Sequence, residues 1–166
     1  IIVVSLMSTG MRKGEVLGLR WRDIDFHNRR IVIHETKNGE RRAVPLVATS
    51  LQFIDQLKAN DFNSTDDFIF HSPENKTKCC CVRTAWEKAI KRSAITDFRF
   101  HDLRHSTASY LAMNGASLLE IADILGHKTL QMVKRYSHLS EDHKATVLEK
   151  MNWKVFGREG KLNSRL

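Results

Sequence analysis

Only three cysteines occur in the 166 residues, and they stand side by side as Cys79, Cys80 and Cys81. An odd, adjacent set suits neither a disulfide framework nor the spaced ligand pairs of a zinc site. Long apolar runs are missing as well. Stretches such as Ile1 to Val4 are far too short to cross a bilayer, and no charged start leads into an apolar segment with a small-residue cleavage site, so a cytosolic protein with no membrane partner is expected. The chain carries no internal repeat and no low-complexity linker. It also has no initiator methionine: it opens at Ile1 inside the apolar stretch "IIVVSLM", which reads as a fragment whose upstream portion is absent. Acidic residues are outnumbered, 19 against 27 Lys and Arg, for a formal charge of +8. That excess favours a polyanionic partner, nucleic acid first, because each cation set against a phosphate releases condensed counterions.

The length fits one domain with a real core, and 42% hydrophobic content supports a globular reading over disorder. Ser8 and Thr9 precede "GMRKGEVLGLRW", where Met11, Val16 and Leu19 approximate helical spacing, so a short helix is expected there despite Gly14 and Gly18. In "RRIVIHETKNGERRAVPL" two β-branched runs flank Asn38-Gly39, a dipeptide suited to the positive φ angles of a type I′ turn, which predicts a hairpin with Lys37 at its tip. Residues 49 to 60 read as a helix with Leu51, Ile54 and Leu57 on one face, followed by a polar loop and the short apolar "FIF".

The second half reads as helical. Trp86, Ala89 and Ile90 mark one helix; Leu103, Thr107, Tyr110 and Leu111 mark another that stops at Asn114-Gly115. Ser117 and Glu120 form a capping box ahead of Ile121, Ile124 and Leu125, Gly126 ends that helix, and Thr129 is placed to cap the next. Ala145, Leu148 and Met151 suggest a last helix, with residues 152–166 as a carboxy-terminal tail whose charged end from Gly157 carries no packing signal. The fold class is mainly α with a small antiparallel β-sheet, an α+β domain.

Taken singly, the polar residues have ordinary explanations. His101 and Arg104, three apart, fit a solvated helix face off the apolar stripe. His127 after Gly126 fits an imidazole near the last helical carbonyls. Tyr136 continues a stripe with Met132 and Val133, as a buried phenol with its hydroxyl at the surface. Arg12 and Glu15 fit a surface pair, and Lys37 a solvated turn residue. Together they match another requirement. Metal-free phosphodiester cleavage by a protein hydroxyl needs a nucleophile, donors for the charge of the pentavalent phosphorane, and an acid for the leaving oxygen. Two arginines supply forked, permanently charged donors. A tyrosine hydroxyl titrates near pH ~10, so it must lose its proton as it attacks, and nearby cations or imidazoles favour that loss.

Four stretches, "STGMRKGEVLGLRWRDID", "TKNGERRAVPL", "FHDLRHSTASYLAMNGASLLEIADILGH" and "VKRYSHL", resemble the catalytic domain of the tyrosine recombinases of the phage integrase type, in that family's order. The resemblance covers most of residues 5 to 139. It implies the DNA breaking-rejoining fold over residues 1–166, with the core-binding domain that family members usually carry at the amino terminus absent. Arg12 and Arg104 would clamp the scissile phosphate of double-stranded DNA while Tyr136 attacks it to give a 3′-phosphotyrosyl link. Lys37 would protonate the leaving 5′-oxygen, His101 would assist proton transfer, His127 would hydrogen-bond a phosphate oxygen, and Glu15 would orient its neighbours. No metal, nucleotide or flavin cofactor is implied. The chemistry alone ranks neither His101 over His105 nor Lys37 over Lys13; the motifs make that choice, leaving His105 to cover a neighbouring helix and His138 to meet backbone or solvent. The implied protein is a cytoplasmic, nucleoid-associated recombinase of bacterial or phage origin, acting as a synaptic tetramer when full-length. A non-catalytic DNA-binding module of the same fold and a type IB topoisomerase are the alternatives.

Overall fold

A computed structural model describes residues 1–34 and 41–157. The apolar opening stretch coils as α1 (Ile2–Thr9), which the sequence reading left unassigned, and ends at Gly10 in the left-handed conformation, φ 63°. Helix α2 (Lys13–Leu17) follows at once. Its start is fixed by Arg12, not by Ser8 or Thr9: the Arg12 backbone N–H donates to the Glu15 carboxylate at 2.8 Å, while the Thr9 hydroxyl turns back onto the Ser5 carbonyl. Met11, Val16 and Leu19 are buried as expected, although only Val16 lies within the helix.

Strands β1 (Ile24–Asp25), β2 (Arg30–Ile33) and β3 (Arg42–Pro45) form an antiparallel sheet in that order, with Ile33 opposite Arg42 and Arg30 opposite Pro45. This is the pairing a β2–β3 hairpin requires. Its Asn38-Gly39 turn and Lys37 lie outside the described residues. Helix α3 (Ala48–Asp61) buries Ile54 and half-buries Leu51 and Leu57 on one side. The "FIF" stretch leads into a second, two-stranded sheet, β4 (His71–Ser72) with β5 (Asn75–Cys79), for which the polar, lysine-rich β5 gave no alternating signal.

Helix α4 (Arg83–Arg92) sets Trp86 against Phe100, ring centroids 4.5 Å apart. Helix α5 (Asp102–Met113) reaches the Asn114-Gly115 stop, with Gly115 at φ 84°. Its buried face differs from the expected stripe. Leu103, Arg104, Thr107, Ala108 and Ala112 face inward, whereas Tyr110 is 58% exposed. Small Ala108 and Ala112 let α6 approach, and Arg104 is drawn in with them. Helix α6 (Leu118–Leu125) has the expected Ser117–Glu120 box and ends at left-handed Gly126, φ 64°.

Beyond it the chain forms short 3₁₀ turns, Leu130–Met132 and Lys134–Ser140, then α7 (Glu141–Phe156), which takes in residues 152–156. Thr129 precedes the first turn but makes no side-chain cap, and Met132 is exposed while Val133 and Tyr136 are buried. Two apolar clusters result. One joins α1, α2, the three-stranded sheet and α3; the other holds Ala108, Ala112, Ile121, Ala122, Leu125, Val133 and Tyr136.

Candidate active site

The seam between those clusters is where the charged residues meet. At the carboxy-terminal end of α6 three successive carbonyls accept hydrogen bonds from arginines on three different elements. Arg42 of β3 donates to Ile124 at 3.0 Å, Arg104 of α5 to Leu125 at 2.5 Å, and Arg12 to Gly126 at 3.5 Å. A helix carboxy terminus carries unsatisfied carbonyls and the negative end of the macrodipole, so it attracts cations. Here it gathers three. Arg104 also donates to the Gly10 carbonyl at 2.6 Å, tying the end of α1 to the end of α6.

Glu15 locks the set from below. Its carboxylate accepts from the Arg12 guanidinium at 2.8 Å and from Arg42 at 2.7 Å. Burial works to raise the Glu15 pKa, but the Arg12 backbone bond and the Arg42 and Arg12 charges outweigh it and hold the group below its ordinary value. Among the described residues, three guanidiniums thus share a single carboxylate. Arg104 is only 3% exposed. Burial, then the Arg12 and Arg42 charges, lower its pKa to about 10, which leaves it charged at neutral pH.

His127 follows Gly126, with its Nδ1 buried and without a hydrogen-bond partner among the described residues. Burial first, then Arg104, Arg12 and Arg42, push its pKa down to about 4. A neutral ring with a free nitrogen therefore faces the guanidiniums. Tyr136, 6% exposed, packs its ring into the second cluster and sets its Oη 2.5 Å from His105 Nδ1. Burial raises the phenol's pKa, opposed by the Arg135 and Arg104 charges.

The structure brings together Arg12, Glu15, Arg104, His127 and Tyr136 of the residues chosen from sequence. Arg104 is not on a solvated face, and Tyr136 does not show its hydroxyl to solvent alone. His101 is exposed at the start of α5, its ring edge-on to His105 with centroids 5.0 Å apart. Lys37 lies outside the described residues. Lys13 sits over the Phe100 ring, 5.0 Å from its centroid. Two participants were missed. His105 meets the phenol instead of covering a neighbouring helix, and Arg42 joins Glu15 to α6. For Arg42 the signal available was a basic pair on a strand beside the predicted hairpin tip, which by itself points only to solvent. Among the described residues no group of His, Cys, Asp or Glu side chains could hold a metal ion.

Scaffold and site define a cation-rich centre beside a buried tyrosine on an α+β domain. Residues 1–143 match the model of the phage integrase family, and the chain belongs to that family. It is 37% identical over 134 residues to the shufflon-specific DNA recombinase of Escherichia coli, covering 80% of this chain and 33% of that protein. It is 32% identical over 154 residues to the integrase of Salmonella phage P22, covering 86% and 39%. The chain thus spans about a third to two fifths of the length of these curated relatives. Its fold is that of the catalytic domain of bacteriophage HP1 integrase, with a TM-score of 0.67 at 24% identity over 93% of this chain and 82% of that one. The XerH site-specific recombinase in a post-cleavage complex with its palindromic difH substrate gives 0.68 at 23% identity, over 95% and 45%.

Proposed function

We propose that this chain is the strand-cleaving and rejoining unit of a site-specific DNA recombinase that works through a 3′-phosphotyrosyl intermediate. The observation that carries the proposal is a buried tyrosine beside a cluster of three guanidiniums that, among the described residues, has one carboxylate to balance it. Such a surplus, prepared before substrate arrives, is the electrostatic complement of a phosphate and more so of the added charge on a phosphorane. Arg12 and Arg104 hold the non-bridging oxygens, and neutral His127 donates its ring N–H to one of them. Tyr136 attacks phosphorus. Lys37 protonates the departing 5′-oxygen, His101 assists proton movement from the rim, and Glu15 keeps Arg12 aligned. The covalent bond retains the phosphodiester energy, so rejoining needs no external source.

Double-stranded DNA is the proposed substrate, and the relatives named as recombinase and integrase support that choice. The whole protein pairs sites as a tetramer. Support for self-association comes from α7, where Leu148, Met151, Trp153, Val155 and Phe156 are exposed among the described residues.

The test is incubation with a pool of nicked suicide duplexes randomised around the nick, resolved on a denaturing gel. A covalent protein–DNA band is expected from the native chain and none from Tyr136→Phe. A band from the Phe variant would remove Tyr136 as nucleophile. No band from the native chain, alongside retained DNA binding, would favour a binding module.

A further inference from the structure

We infer that His105, through its Nδ1, takes the proton of Tyr136 during cleavage and returns it during rejoining. This deepens the reading above and rests on it. Tyr136 Oη lies 2.5 Å from that nitrogen, at the short end of hydrogen-bonding range and within reach for proton transfer. The phenol is otherwise enclosed by the second apolar cluster, so bulk water is a poor rival for its proton. The ring has a way out for the charge, since His105 is only half-buried and borders an open hollow lined by Asp102, Ser106 and Ser109.

The surroundings keep the imidazole in the accepting form. His101, Asp102 and Arg104 face it from α5, Arg135 and Tyr136 from the 3₁₀ turn, and His127 from the end of α6. Burial first, then His101 and Arg135, hold its pKa below the ordinary histidine value, with Asp102 opposing. A neutral ring has one nitrogen lone pair free to accept; the inferred transfer needs it on Nδ1, with the proton on Nε2.

The step balances. As Oη bonds to phosphorus its O–H proton passes to Nδ1, the bond from phosphorus to the 5′-oxygen breaks, and that oxygen takes a proton from Lys37. In rejoining, the 5′-hydroxyl attacks, the phenolic oxygen leaves, and Nδ1–H returns the proton to it. His101, assigned by motif to proton transfer, then acts on His105 from the rim and not on the phenol itself.

Two measurements decide this. Nitrogen-15 NMR of the histidine side chains in the free chain should find neutral His105 as the Nε2–H tautomer; an Nδ1–H tautomer would make it a donor to the phenol and overturn the inference. In single-turnover adduct formation on the randomised nicked pool, His105→Ala should slow cleavage on the order of 100-fold. Added imidazole should recover part of that loss in proportion to its free-base form, whereas a 5′-bridging sulfur leaving group should not, because the leaving-group acid is intact. His105→Gln preserves a hydrogen-bond partner without a usable base, and should stay slow. Cleavage by His105→Gln or His105→Ala within a few-fold of native would sink the inference while Tyr136→Phe remained inactive. An active Tyr136→Phe would instead sink the proposed function.

Discussion

Arg104 ties the site to the fold, because one guanidinium closes two helix ends and, in the proposed function, supplies charge to the phosphate. Its sequence context gave the residue but not its burial. A cation three positions from a histidine on a helix ordinarily faces water, and only the packing of α5 against α1 and α6 turns it inward. Replacing it with Ala strands the Gly10 and Leu125 carbonyls, at about 1–3 kcal/mol for each if buried unpaired. Arg104→Ala is expected to lower the unfolding free energy by about 2–4 kcal/mol in urea titration and to abolish adduct formation. Arg104→Lys keeps a charge but loses the fork, so its stability should fall less while its cleavage falls nearly as far.

His127 makes a pH prediction. Its folded pKa of about 4 lies below the ordinary value of 6.5, so the unfolded chain binds the extra proton first. Stability is therefore expected to be undiminished by this residue above pH ~6.5 and to fall as pH drops from ~6.5 to ~4, levelling below that. Urea midpoints across this range should slope less in His127→Gln than in the native chain. An equal slope would mean that the ring is not held neutral by its neighbours.

At the level of elements, the end of α6 is the device that assembles the site. Local chemistry announced it well: the Ser117–Glu120 box, the Gly126 stop and the Asn114-Gly115 stop all stand where the sequence placed them. What was illegible came from contacts distant in sequence. Arg42 reaches α6 across 82 positions, and no periodicity encodes that. Helix α1 was hidden because its mostly apolar opening stretch gives little period to read, and β5 because it is polar along its length with no alternating apolar face.

Gly126 gives the element-scale test. Its φ of 64° penalises any side chain, and a Cβ there would stand 2.4 Å from the Arg42 guanidinium, which is pinned by Ile124 and Glu15. Gly126→Ala is expected to cost about 1–3 kcal/mol and to slow cleavage by displacing Arg42. Gly14→Ala should do the reverse. It sits in α2 with open space around its Cβ position, so the change is expected to add up to about 1 kcal/mol in the same denaturation assay.

Over the whole molecule, charge and exposed surface carry what the sequence declared earliest. The +8 excess was legible from composition, and it predicts DNA affinity that falls linearly on a logarithmic plot against salt, with a slope set by the number of phosphates engaged. A salt-independent affinity in a filter-binding series would remove phosphate contact as the source of binding. The α+β class and the β2–β3 pairing were legible too, whereas the exposure of the apolar residues of α7 among the described residues shows only in the fold.

The central claim is that the fold prepares one particular hydroxyl, among two tyrosines, to attack phosphorus. Tyr110 is the internal control, since it lies exposed on α5 while Tyr136 is enclosed beside His105. The most direct measurement is mass spectrometry of the trypsin-digested covalent adduct. A nucleotide remnant on the peptide that begins at Tyr136 is the predicted result, and a remnant on the Tyr110 peptide, or on a serine, would contradict the account.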